Sequence, residues 1–258
     1  MTLPIHRDKY NSKPIFSPED LHVYRNSTNS GNALRCPENI ILCYSPGLMN
    51  YIKDTYAITE VRLSGGTLYS LSETSTPIGV MGNFGFGAPV AVTLSEVLIA
   101  AGVKRMINIG VAGTLQKHID IGDIVVCEKA IRDEGTSYHY LEPDTYAYPH
   151  PELTGQIKKI LAKNGMEYFT GPSWTIDAPY RETIAEVLKY QEEGVLTVEM
   201  EASALFALGV HRNIEVGAIF TISDSLADLK WRPEFQSERT IKGLEAIFEV
   251  ALNSLSGN

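Results

Sequence analysis

Cysteine, basic charge and long apolar runs are all scarce in this chain of 258 residues. The 3 cysteines, Cys36, Cys43 and Cys127, form no C-x-x-C and leave one over under any pairing. That excludes a disulfide framework and a zinc knuckle, and leaves packed or surface thiols of a reducing compartment. Lys and Arg number 22 against 31 Asp and Glu, a formal net charge of −9. No basic cluster marks an electrostatic footprint, so no nucleic-acid partner is expected. Apolar stretches are as short as Val97-Leu98-Ile99-Ala100-Ala101, whereas a spanning helix needs roughly 20 apolar residues, so no membrane partner is expected either. Residues Met1 to Lys9 carry no apolar h-region of a secretory signal, and the expected location is the cytoplasm.

What is present fits a globular α/β protein. Apolar residues make up 44% and charged residues 21%, with 21 Gly and 13 Pro, which argues against disorder and fibrous structure. Residues 1–38, with Pro, Asn and Ser in clusters and the loop signal Asn26 to Asn32, read as an N-terminal arm that lies across another subunit. The α/β domain occupies 39–258. It opens with the strand Asn39 to Tyr44, closed by a Ser45-Pro46-Gly47 turn. Ala91, Leu94, Leu98 and Ala101 recur at helical spacing, with Gly102 in the place of a C-cap. Met106–Val111, Asp123–Cys127 and Val216–Ile222 read as strands, Leu153–Leu161 as a helix, and Ile241–Leu255 as a long amphipathic closing helix. One domain with a largely buried sheet follows from this alternation.

Two acidic segments could carry chemistry. In Val198-Glu199-Met200-Glu201-Ala202, extended chain would put both glutamates on one side. Two carboxylates there would accept hydrogen bonds from vicinal hydroxyls such as those of a ribose, whereas a solvated first helical turn explains the same acids through the helix dipole. In Ile222-Ser223-Asp224 an acid follows a strand, where ligands of open α/β sheets gather and a desolvated carboxyl can donate a proton; a helix N-cap or Asx turn explains it equally. The glycine-rich Gly82 to Pro89 leads into a helix whose first amides could hold an anion, though it lacks the order of a P-loop or a dinucleotide site. No His, Cys and carboxylate grouping has metal-ligand spacing, so no metal is expected.

Together with Ile107 to Gly113, Arg132 to Ser137 and Asp177 to Tyr180, these segments resemble, in matching order over roughly residues 38–255, the nucleoside phosphorylase superfamily. The resemblance implies a single domain with a central mixed, partly barrel-like β-sheet flanked by helices, no cofactor, a homo-oligomer (dimer or trimer of dimers) and cleavage of the N-glycosidic bond of a nucleoside. Glu201 would bind the ribose 2′- and 3′-hydroxyls, Met200 would pack on the sugar, Glu199 would line the same pocket, and Tyr180 would meet the base. Asp224 matches the acid that protonates the base in purine-cleaving members, so a purine nucleoside is expected. The pocket for phosphate or water maps to Gly47, Asn108, Gly110 and Val111. Inorganic phosphate is the implied co-substrate, yet Tyr51 and Asn108 stand where arginines are expected, Val111 replaces a hydroxyl residue, and the segment around Ser64 has only Arg62 nearby. Arg25, Arg35, Arg62 or a neighbouring subunit's arginine are the substitutes to consider. Three readings stand: a phosphorylase with relocated phosphate ligands, ranked first; a nucleoside hydrolase, which also lacks the glutamate usual in its first loop; and a nucleoside-binding protein without turnover.

Overall fold

Strands buried on both faces read as unbroken apolar runs, and the chain contains several. The computed structural model describes residues 4–6, 8–28, 35–63, 65–72 and 74–256, with only the backbone of residues 22, 25 and 26. The first half contains α1 (Pro18–Thr28), β1 (Asn39–Cys43), α2 (Pro46–Thr55), β2 (Ile58–Leu63), β3 (Gly66–Leu71), β4 (Ile78–Gly82), α3 (Ala88–Ala100) and β5 (Arg105–Thr114). There follow β6 (Ile124–Asp133), β7 (Tyr146–Ala147), α4 (Pro151–Lys163), β8 (Phe169–Ile176), α5 (Ile184–Glu192), β9 (Thr197–Glu199), α6 (Ala202–Arg212), β10 (Glu215–Ser225), β11 (Arg232–Pro233) and α7 (Glu238–Ser256).

The sheet is mixed and closes on itself. β10 pairs with β6, β6 with β8, β8 with β9 and β9 with β5, and β5 returns to β10, a ring of five strands. From β5 a wing continues through β1, β4, β3 and β2. One face is covered by α2, α4 and α7 through residues such as Ile52, Ile157 and Phe248, the other by α3 and α6 through Leu98 and Phe206. The barrel-like domain flanked by helices is therefore as the resemblance implied.

Three local readings change. Ser45-Pro46-Gly47 is a helix start rather than a turn. The Ser45 hydroxyl accepts from the Leu48 N–H at 3.2 Å, and Pro46 holds the first helical position. The arm is more than loop, since it contains α1, and it touches its own chain: the Tyr10 hydroxyl donates to the Tyr138 carbonyl at 2.9 Å, and Glu19 pairs with Arg212 at the end of α6. The loop signal around Asn29 to Asn32 lies outside the described residues. Finally, β10 runs on past Ile222 to Ser225, so Asp224 is in a strand and not in a cap or Asx turn.

Candidate functional site

β9 ends at Glu199 and α6 begins at Ala202 with Glu201 as N-cap, so the backbone turns between the two glutamates and no strand face is shared. Glu199, 6% exposed, is spent on the fold. Its Oε2 accepts from the N–H groups of Glu201 and Ala202, both at 2.8 Å, and its Oε1 from the hydroxyls of Thr175 (2.5 Å) and Ser173 (3.3 Å). Those bonds fill the acceptor sites of one carboxylate. Glu199 is thus a buried cap for α6 that builds the floor of the site, not a lining group facing a ligand.

Glu201 has capacity that Glu199 lacks. Its Oε1 accepts from the Gly87 N–H at 2.6 Å. Gly87, at φ +99°, is the N-cap of α3, a conformation only glycine takes at no cost. The anion held at that helix start is therefore the chain's own carboxylate. Burial, then the negative Glu199, push the Glu201 carboxyl well above the usual range, while bonds from Gly87 and Met200 oppose this. Met200, next to it, is partly exposed.

Asp224 reaches the same region because β10 shifts register against β5 between Ile222 and Asp224, a bulge that re-aims the side chain. Gly113 of β5 makes room: a Cβ there would stand 3.0 Å from Asp224 Oδ2 and 3.2 Å from Val198, which precedes Glu199. Asp224 is buried, its Oδ1 accepting from the Ser223 hydroxyl (2.8 Å) and its Oδ2 from the Trp231 indole N–H (3.0 Å). Burial raises its pKa and these two bonds lower it. Glu182 is pushed up to about 7, by burial first and then by the charges of Asp224 and Glu186. Nearby, a cavity of about 460 Å³ is lined by Ile176, Asp177, Ala178 and Arg181, among others. Asp177 in turn adds to the upward push on Glu201. Tyr180 is absent from that lining; its ring is 100% exposed in the short turn Pro179–Arg181, so within one chain it faces solvent and not a base.

The residues assigned to the acceptor pocket separate. Asn108 is wholly buried and neither amide atom has a protein partner. Strand alternation puts Gly110 on the same side, where the Tyr44 ring lies 3.7 Å from the position of a Gly110 Cβ and 4.9 Å from the Phe84 ring, centroid to centroid. The Tyr44 hydroxyl is also buried without a partner, and the charges of Glu201 and Glu199 bear on it. Val111 belongs to the opposite face, packed toward the α7 side, and Gly47 lies exposed in the first turn of α2. Tyr51 turns away too, its hydroxyl donating to Glu249 of α7 at 3.4 Å. Arg62 has an 88% exposed side chain paired with Glu60, and Arg35 is exposed. Ser64 and the Arg25 side chain lie outside the described residues. Arg132 and Glu134 are internal scaffolding: Arg132 donates to the Ser137 hydroxyl and two loop carbonyls, and Glu134 accepts from Ser203 of α6. Among the described residues one trio, His150, Glu152 and Glu215, could hold a metal ion. It lies at the opposite end of β10 from Asp224, and Arg105 already binds Glu215 at 3.0 Å.

Comparison with known proteins gives this arrangement its relatives. A family model described as the phosphorylase superfamily matches residues 39–256. The chain belongs to the phosphorylase superfamily. It is 30% identical over 185 residues to a purine nucleoside phosphorylase DeoD-type of Streptococcus thermophilus, covering 69% of this chain and 82% of that protein. It is 32% identical over 142 residues to a guanosine phosphorylase of Halorubrum lacusprofundi, covering 55% of this chain and 59% of that protein. Among solved structures, a uridine phosphorylase from Vibrio fischeri matches with TM-score 0.77 at 25% identity, over 88% of this chain and 96% of that one. A purine nucleoside phosphorylase from Toxoplasma gondii has the same fold, TM-score 0.77 at 19% identity, over 86% of this chain and 91% of that one. As a member of this superfamily the chain is an enzyme, a pentosyltransferase. Three site residues escaped the sequence reading: Tyr44, Glu182 and Trp231. Tyr44 directly follows a strand, a placement that could have flagged it; nothing local marks the other two.

Proposed function

We propose that the chain catalyses phosphorolysis of a purine ribonucleoside, giving the free base and ribose 1-phosphate. The observation that carries this reading is the convergence, across Gly113, of Asp224 with the strand that bears Glu199 and leads to Glu201. The ribose 2′- and 3′-hydroxyls donate to Glu201 and so favour its ionised form against the upward push of burial, with Met200 against the sugar. A phosphate oxygen bonds to the anomeric carbon as the C–N bond breaks. Its electron pair passes to the base, which takes a proton from Asp224. An acid placed there acts on charge that exists only in the transition state.

A second reading, hydrolysis, draws on Asn108 and Tyr44. Their unpartnered amide and hydroxyl are neutral, and neutral groups do not offset the desolvation of a phosphate dianion as arginine does. Phosphorolysis would then need a cation from a neighbouring copy, for which the exposed Arg62 is available. Assembly as a homo-oligomer belongs to this proposal: the exposed rings of Tyr180 and Phe86 are groups that a second copy would cover. Light scattering at micromolar protein checks it, and a monomeric mass counts against it. The three free thiols agree with action in the cytoplasm.

The test of acceptor and base is one assay. A panel of purine and pyrimidine ribonucleosides is incubated with and without millimolar phosphate, and base, ribose and ribose 1-phosphate are measured. Phosphate-dependent release of ribose 1-phosphate from purine nucleosides is expected. Free ribose at a phosphate-independent rate would establish hydrolysis instead, and saturable binding without products would leave a binding protein.

A further inference from the structure

The hairpin after β10 contains features that a lone acid at Asp224 does not require. The chain has 2 tryptophans. Trp174 is wholly buried against Tyr190, with its N–H on Asp133. Trp231 is 65% exposed, its ring tilted toward Phe235 at 6.2 Å, and its fixed polar contact is the N–H donated to Asp224 Oδ2. The turn leading to it holds Leu229 at φ +56°, a left-handed conformation that branched residues seldom adopt and that clusters at functional sites.

With the Ser223 hydroxyl on Oδ1, both oxygens of Asp224 already have donors. An indole N–H can only donate, so its bond favours the carboxylate over the acid. Proton delivery to a departing base needs the opposite: a protonated Asp224 with an oxygen facing the base. The other charged groups around Asp224 are Glu182, from the turn before α5, and, on the hairpin and just beyond it, Lys230, Glu234, Asp228 and Arg232. The last two are already paired with Lys117 and Asp120. β5 presents only the backbone of Gly113.

We propose that Trp231 is a positioning residue for the acid: its indole holds Asp224 as carboxylate in the free enzyme, and an incoming purine displaces it from Oδ2. As the indole leaves, Asp224 takes up one proton from solvent, the base nitrogen takes the vacated place, and the released ring packs on the planar base. The proposal rests on Asp224 acting on the base, and the test separates the two.

Trp231→Phe keeps the ring and removes the N–H. The kcat/KM of wild type, Trp231→Phe and Asp224→Asn is measured against pH with a purine ribonucleoside and with a riboside whose leaving group needs no proton. In Trp231→Phe the basic limb for the purine substrate is expected to move up by about half to one pH unit, since a donor that stabilised the ionised acid is gone. The limb for the activated substrate is not displaced. In wild type, free adenine, guanine or hypoxanthine is expected to change the indole emission saturably, with a signal absent from Trp231→Phe. A purine profile of Trp231→Phe that superimposes on wild type, while Asp224→Asn still loses purine turnover selectively, overturns the role of Trp231. Equal losses in Asp224→Asn on both substrates overturn the reading of Asp224, and this inference with it.

Discussion

The two ends of the proposed site, one for sugar and one for base, are built differently. At the sugar end, Glu199 and Glu201 sit in a closed lattice of backbone amides from α3 and α6 and hydroxyls from β8, each less than a tenth exposed. At the base end, Asp224 rests beneath an exposed tryptophan on a turn with a left-handed leucine. The sugar end holds one geometry, which suits a group common to all ribonucleosides. On the proposed reading the base end exchanges partners, which suits the variable part of a nucleoside.

Substitutions can break this contrast, beginning with the base end. Asp224→Asn removes the proton but keeps the shape, and is expected to lower purine nucleoside turnover by about 10²–10⁴-fold, as for loss of a general acid. Activated substrates should lose far less; a steady-state comparison of the two decides it. At the sugar end, Glu199→Ala is expected to act mainly on stability. It leaves at least two buried N–H donors unpaired, each costing about 1–3 kcal/mol, so calorimetry should show Tm falling by about 10 °C at roughly 2–4 °C per kcal/mol. Glu201→Ala reverses that pattern. Loss of charge-assisted bonds worth about 1.5–3 kcal/mol should lower kcat/KM for ribonucleosides by about 10- to 150-fold, with Tm changed by a few degrees. Turnover of a 2′,3′-dideoxynucleoside should be insensitive to it.

The smallest effect sharpens the comparison through pH. Glu182 has its folded-state pKa raised to about 7 from an ordinary 4.5. Its contribution to stability is therefore present below pH 4.5 and lost as pH rises through 7. Glu182→Gln should raise Tm relative to wild type at pH 8 and change it little at pH 4, as a thermal melt at the two values would show.

Much of this was legible in the residues. Unbroken apolar runs marked β1, β5 and β10, three-four spacing marked α3, α4 and α7, and the order of motifs pointed to a partly barrel-like domain. Glu201 and Asp224 were legible as acids at a strand-to-helix junction and a strand end. What stayed hidden depends on contacts far apart in the chain. Glu199 and Glu201 look equivalent in a pattern of period two, and only the amides of α6 and hydroxyls of β8 separate them. Val111 looks adjacent to Asn108 but faces the other side of β5. Trp231 acquires meaning through one hydrogen bond across a turn that no periodicity reports. The helix at Pro46 was readable from Ser45 at N-cap and Pro46 at the first position, a signature equally natural to a turn.

The closed ring also bears on how the molecule comes into being. β5 and β10 join through a ladder in which Arg105 lies beside Glu215, about 110 residues further along. Closing so long a loop costs entropy before any contact repays it, and folds dominated by distant pairings form slowly. A chain emerging from a ribosome can assemble the wing and dock α3 early. It cannot close the ring until β10 is synthesised, and Asp224 is the last residue but one of that strand. The acid therefore takes its place only as the ring closes, so a partly made chain presents the surfaces of the fold without its chemistry.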